Sequence, residues 1–414
     1  MDYIENLNDN LKINSISKGK SRFNIFLGIC VALTNLTQLP VFAQNGFSSD
    51  LATFIWVILF AVLFINILIK GKIRIVNSAI KEVAFIAYFV LFAALCEFFT
   101  GRNYLNTALA SAMYVSVFIY FVGIVSARYF DENTVKTIST FYILSASIVA
   151  INIFFEFLLG YDISSRFYAY TSKNSVSQII ITAVIMIIVF KFNLKTKKLL
   201  DEILTIGYVV LFVFLVYTIL LLRSRATIIA LPFIFIAIMW WGKTNRKAAI
   251  FITIGIVMVF IYFILNPTVY DSFIKNVIYA GRGDTFADLS SERDVEWKNF
   301  GSDFSISPLI GLGSNKRESL ILTALLEYGL LGGIPILLYA LNPLYYGLNK
   351  LNLKKSETQM FILIAFTYIL NGVFEQLSPF GPGVKCYILW FLMGAYATNF
   401  MYVKPRKRGY LNNG

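Results

Sequence analysis

The chain has 414 residues, of which 58% are hydrophobic and only 14% charged, with a mean hydropathy of +0.70. That balance excludes a soluble domain of this length and places the chain in the membrane class. The net charge of +13 lies in short clusters between apolar runs, which is a topology signal and excludes a nucleic-acid face.

Spans of about 20 apolar residues cross a bilayer. On that measure twelve are predicted, near 23–43, 51–69, 83–99, 105–126, 138–159, 176–192, 203–222, 226–241, 248–266, 320–341, 358–377 and 384–403. The first follows a basic, polar stretch and lacks a small-residue cleavage site, so it reads as an uncleaved helix. The fold class is therefore an all-α polytopic membrane protein of about 12 transmembrane helices with one long extracytoplasmic loop.

Assigning alternate loops to alternate sides puts 24 of the 36 Lys and Arg on one face. By the positive-inside rule that face is cytoplasmic. This predicts cytoplasmic tails at 1–22 and 404–414, helices 1–9 over 23–266, an extracytoplasmic loop over 267–319 and helices 10–12 over 320–403. The membrane would be the cytoplasmic (inner) one.

The stretch LLLRSRATIIALPFIF, 220–235, places Arg223 and Arg225 at an outer helix boundary. Glu97, Glu156, Glu327 and Glu375 all fall in the outer half of their spans, and Arg102, Arg166 and Lys385 lie in outer loops. Charges gathered at one depth line a shared polar vestibule, because each alone in hydrocarbon costs about 3 kcal/mol. Arginine forks onto phosphate oxygens in a way lysine cannot. Two readings stand for Arg223 and Arg225: grip on a phosphate or diphosphate, or salt bridges to the buried glutamates.

Within the long loop, DLSSERDVEWKNFGSDF starts with Ser291 and Asp294 in capping-box spacing, followed by Arg293, Trp297, Phe300 and Phe304 at helical spacing. This predicts a short amphipathic helix on the outer surface. Trp297 suits either a sugar ring or the bilayer interface. Gly311 and Gly313 offer either an amide nest for an anion or a plain loop reversal. Gly329, Gly332 and Gly333 suggest close helix packing, with Pro335 bending the span.

Cys30, Cys96 and Cys386 are isolated in apolar segments and read as packing residues. Histidine is absent, which removes the usual general base and metal ligand. No metal and no cofactor is expected. Any acid–base chemistry must therefore use carboxylates, Lys or Tyr, and Glu318, flanked by Lys316 and Arg317, either serves as a base or caps the tenth span.

The order Arg293, Trp297, Pro308-x-x-Gly311-x-Gly313, then Glu327-x-Gly329-x-x-Gly332 resembles the signature region of the O-antigen polymerase and O-antigen ligase superfamily. So does Ser224-Arg225-Ala226 at the outer start of a span. Where that family usually carries His followed by Asn, this chain has Glu318 and Ser319.

The resemblance implies metal-independent glycosyl transfer at the outer face, from a polyprenyl-diphosphate-linked oligosaccharide to a sugar hydroxyl. It makes Glu318, Arg225 and Arg293 the catalytic candidates, and Arg223, Arg317, Trp297, Arg166 and Glu327 the substrate-binding ones. Membrane lipid, a chain-length regulator and a flippase are the implied partners, with no nucleic acid. Polymerase, ligase and lipid-linked oligosaccharide flippase, or an assembly role without catalysis, remain the competing functions.

Overall fold

The computed structural model describes residues 21–43, 48–70, 77–161, 173–190, 199–241, 293–315, 317–381 and 383–398. Its principal helices are α1 (Ser21–Leu36), α2 (Ser48–Lys70), α3 (Asn77–Thr100), α4 (Ala108–Ser126), α5 (Thr134–Leu158), α6 (Lys173–Phe190), α7 (Leu199–Leu221), α8 (Arg225–Trp241), α9 (Arg293–Ile306), α10 (Leu320–Lys350), α11 (Ser356–Gly372) and α12 (Tyr387–Thr398). Every predicted span falls on a helix except the ninth, 248–266, which lies outside the described residues, as do the predicted tail at 404–414 and residues 267–292 of the long loop.

Among the described residues, seven helices are long and apolar enough to cross a membrane (α2 to α7 and α10), while α1 and Ala226–Ala237 of α8 are shorter apolar helices. The protein is a polytopic all-α membrane protein. In a medium without water each span must satisfy its own backbone polar groups, which the α-helix does within one segment.

Burial separates the central helix from the outer ones. α6 is buried from Ser175 to Val189 around its whole circumference, as a helix apolar on all sides must be. α2, α3 and α7 instead present large apolar side chains outward, including Ile69, Phe98 and Val210, which suits lipid contact. α4 and α12 form the tightest crossing. A methyl on Gly123 would overlap the Phe391 carbonyl, and one on Gly394 would overlap the Tyr120 carbonyl. Small residues facing each other this way let two backbones touch and maximise dispersion contact where no hydrophobic drive separates helix from lipid.

Two boundaries differ from the sequence reading, each for a backbone reason. α10 comprises 31 residues in two helical segments on either side of Gly329, and the second continues through Pro335 and Pro343 past the predicted stop near 341. The predicted span 358–377 ends early as helix, since after Gly372 the chain turns through 373–381, including a cis Ser378–Pro379 bond, into a 3-10 turn at Gly383–Cys386. That turn is pinned by Ser378 Oγ donating to Tyr368 O (2.8 Å) and Trp390 Nε1 donating to Pro379 O (2.8 Å).

Candidate active site

Several interhelix connections meet at one end of the bundle. The α3–α4 loop meets the segment before α10 through Tyr104 Oη, which donates to Gly311 O (3.0 Å). The post-α11 turn meets α4 where Ser116 Oγ donates to Phe380 O (2.9 Å), and it meets α6 through Asn174, whose Nδ2 donates to Glu375 Oε1.

The α7–α8 connection is three residues long. α7 ends in Leu222 and Arg223, the latter at φ 50°, and the Arg223 N–H donates to Leu220 O (3.0 Å). Helices commonly end on a left-handed residue, but glycine or asparagine normally fills it. An arginine there carries backbone strain. Ser224 then starts α8 by accepting the Ile228 N–H on its carbonyl (3.0 Å).

The Ser224 hydroxyl, fully buried, organises a directional chain. It donates to Asn174 Oδ1 (3.0 Å), and Asn174 in turn donates to Glu375. Thr227 Oγ1 lies 3.0 Å from Ser224 Oγ and 3.2 Å from Ser177 Oγ. The Ser224 and Ser177 protons are both committed to Asn174, so the single Thr227 proton serves one of these two hydroxyls at a time. A chain of oriented hydroxyl and amide dipoles thus ends on a carboxylate, each link strengthening the next. It ties α6, the α7–α8 turn and the post-α11 turn together directly before Arg225, the first residue of α8.

A second construction lies in α10. α10 is broken at Gly329, where φ 62° and ψ −161° belong to a region that only glycine occupies readily. The break frees backbone groups inside the bundle, and the segment 308–313 satisfies them. Leu312 N–H donates to Leu326 O (2.7 Å), Gly313 N–H to Glu327 O (3.0 Å), Leu330 N–H to Pro308 O (2.9 Å) and Leu331 N–H to Leu309 O (3.0 Å). The two strands of backbone approach so closely that a methyl on Gly311 would overlap the Glu327 carbonyl and one on Gly329 the Leu309 carbonyl.

This overturns one sequence expectation and decides between the two readings of Gly311 and Gly313 in favour of the loop reversal. Gly329 breaks the helix where close helix packing was expected of it. The Gly311 and Gly313 amides are donated to the Ser307 and Glu327 carbonyls, so they are not a nest open to an anion.

The remaining sequence candidates are spread over this end of the molecule. Glu327, at zero exposure, sits two residues before the break. The α9 corner holds Arg317, whose Nη2 pairs with Asp303 Oδ2 (2.5 Å), and Glu318, half-buried, whose backbone N–H donates to Glu296 Oε2 (3.1 Å). Ser319 occupies the N-cap of α10 without a capping side-chain bond. Trp297 is 48% exposed, with its ring 6.3 Å from Phe300, which stacks on Phe304 at 5.2 Å.

These three aromatics share one face of α9, while Val295 and Ile306, both exposed, fall on the opposite face at helical spacing. The apolar residues of α9 are therefore split between two sides. Glu97, expected in a polar vestibule, accepts the Tyr104 and Leu105 N–H groups at 3.1 Å each and shapes the α3–α4 loop. Arg166 and the side chains of Arg225 and Arg293 lie outside the described residues, as does Ser291. Among the described residues no three His, Cys, Asp or Glu come together as metal ligands.

Asn174 and the Glu375 contact were not anticipated as site features. The signal was present in KNSVSQIIIT: Asn174, Gln178 and Thr182 recur every four residues, a polar stripe on one face of an otherwise apolar span.

Residues 210–329 match the O-antigen ligase family model. Over this segment the chain is similar to that family, and the match supports a membrane function of the ligase or polymerase type. No curated protein and no solved structure matches the chain. The O-antigen ligase segment runs from α7 to the break in α10, so it contains the Ser224–Arg225 turn and the docked 308–313 loop. Asn174, Glu375 and Lys385 are contributed from outside it.

Proposed function

We propose that this protein is a polysaccharide polymerase that joins polyprenyl-diphosphate-linked oligosaccharide units at the outer face of the cytoplasmic membrane. The observation that carries the reading is the Ser224–Arg225 turn, held by Asn174 and Glu375 at the same end of the bundle as the docked 308–313 loop. The similarity of residues 210–329 to the O-antigen ligase family supports glycosyl transfer, and the Lys and Arg asymmetry supports the outer location of that end.

In the proposed reaction the acceptor hydroxyl oxygen bonds to the anomeric carbon of the donor sugar. The bond from that carbon to the diphosphate oxygen breaks, and its electron pair leaves with the polyprenyl diphosphate. Arg225, Arg223 and Arg293 hold the diphosphate and take up its developing charge, the role for which fixed cations are most effective. The hydroxyl proton passes to the Glu318 carboxylate. Arg317, Arg166 and Glu327 are proposed to frame the glycan, with Trp297 on a sugar face.

The test is incubation of purified protein with one lipid-linked repeat unit. A ladder of lengths supports polymerisation. Product that forms only after a chemically different acceptor is added favours the ligase, and translocation without a new glycosidic bond would point to a transporter.

A further inference from the structure

Lys385 is buried at zero exposure in the 3-10 turn Gly383–Cys386, and its Nζ has no hydrogen-bond partner among the described residues. A lysine buried in this manner is normally paired. The same holds for two amides nearby. Gln178 on α6, at zero exposure, and Asn371 on α11, at 2%, leave both nitrogen and oxygen of their side chains without partners.

Their mutual level follows from the helix register. α6 and α11 run antiparallel, joined by Thr182 to Tyr368 (2.8 Å between hydroxyls) at one level and by Asn174 to Glu375 at the next. Gln178 lies four residues from both Asn174 and Thr182, and Asn371 lies three from Tyr368 and four from Glu375. By register they fall between two made hydrogen bonds, yet their side chains make none among the described residues. The Gly383–Cys386 turn packs against α6, bringing Lys385 to the same helix.

The Lys385 ammonium and the two amides, with their oxygens as well as their nitrogens unpartnered, are thus buried on α6, α11 and the turn packed against α6, with no side-chain hydrogen bond among the described residues. Native interiors leave few such groups, and each requires a cause. We infer that Lys385, Gln178 and Asn371 form an inner oxyanion subsite that receives phosphate oxygens of the donor diphosphate. The inference rests on the polyprenyl-diphosphate reading of the donor. It assigns Lys385 as an interior cation for the diphosphate, in addition to the arginines proposed to hold it.

The test uses the full chain in nanodiscs, with farnesyl diphosphate, inorganic pyrophosphate and farnesol as calorimetric probes. Wild type is expected to bind both diphosphates and not farnesol. Lys385→Met is expected to weaken both by about 10- to 100-fold, the loss of one charge-assisted bond. Without ligand it should melt no lower than wild type, since it removes a buried charge that nothing compensates. Gln178→Leu, which keeps the lysine, should weaken diphosphate binding by a smaller factor and provides the same test if Lys385→Met does not fold. Unchanged diphosphate affinity in Lys385→Met, or in Gln178→Leu should that be the variant that folds, overturns the inference while leaving the donor reading intact. Failure of wild type to prefer farnesyl diphosphate over farnesol overturns both.

Discussion

Gly329→Ala isolates the backbone device that docks residues 308–313 onto α10. At φ 62° and ψ −161° an alanine carries about 1–3 kcal/mol of conformational strain. Its methyl would also overlap the Leu309 carbonyl, so the 308–313 segment must withdraw. Withdrawal releases the bonds from Leu312 to Leu326, Gly313 to Glu327, Leu330 to Pro308 and Leu331 to Leu309. At a net worth of about 1 kcal/mol each, these add roughly 4 kcal/mol, for a total of about 5–7 kcal/mol, a severe loss for any domain.

Gly207 supplies the control: it lies on α7, and a methyl there meets nothing within 4 Å. Gly207→Ala should be neutral or slightly stabilising by helix propensity, about 1 kcal/mol at most. The assay is intrinsic-fluorescence thermal melting of both variants beside wild type in one detergent. Gly329→Ala is expected to melt far below the other two or fail to accumulate. A Gly329→Ala protein melting with wild type would show that the α10 break and the docked loop are not what holds this end together.

Arg225→Ala is expected to insert into the membrane normally and to lower polymer formation by about 10²–10³-fold, the scale for losing one transition-state charge donor; wild-type chain lengths from that variant would remove its diphosphate role. Glu318→Gln should slow turnover by about 10²–10⁴-fold with donor affinity unchanged, and full activity would eliminate it as the base. At the opposite end of the helices, burial pushes the Asp131 carboxyl up, but hydrogen bonds from Thr134, Asn24 and the Asn133 N–H outweigh it and leave its pKa below the usual value. The stability that this carboxylate contributes is therefore present above its unfolded pKa of about 3.9 and is lost as pH falls through its lower folded value. Melting curves from pH 7 to pH 3 should show Asp131→Asn less stable than wild type at neutral pH and converging with it in acid; parallel curves would contradict the assignment.

The composition and the spacing of apolar runs determined the membrane class and the position of nearly every helix, because a 20-residue apolar stretch has few alternatives once water is excluded. The motif Ser224-Arg225, the order of residues 293–332 and the superfamily they point to were likewise legible, being local in the chain. Tertiary structure alone decided what those residues touch. Asn174 reaches Glu375 across 201 positions, and Tyr104 reaches Gly311 across 207, separations that no local pattern encodes.

Gly329 shows the same division. Its sequence context reads as a packing glycine in a span, and only the approach of residues 308–313 makes a helix break tolerable, by capping the groups it exposes. Lys385 likewise reads as a loop cation by topology, and it is the folding of the post-α11 turn onto α6 that buries it. Periodicity reports which faces avoid water, whereas which polar groups meet inside depends on how the helices are brought together.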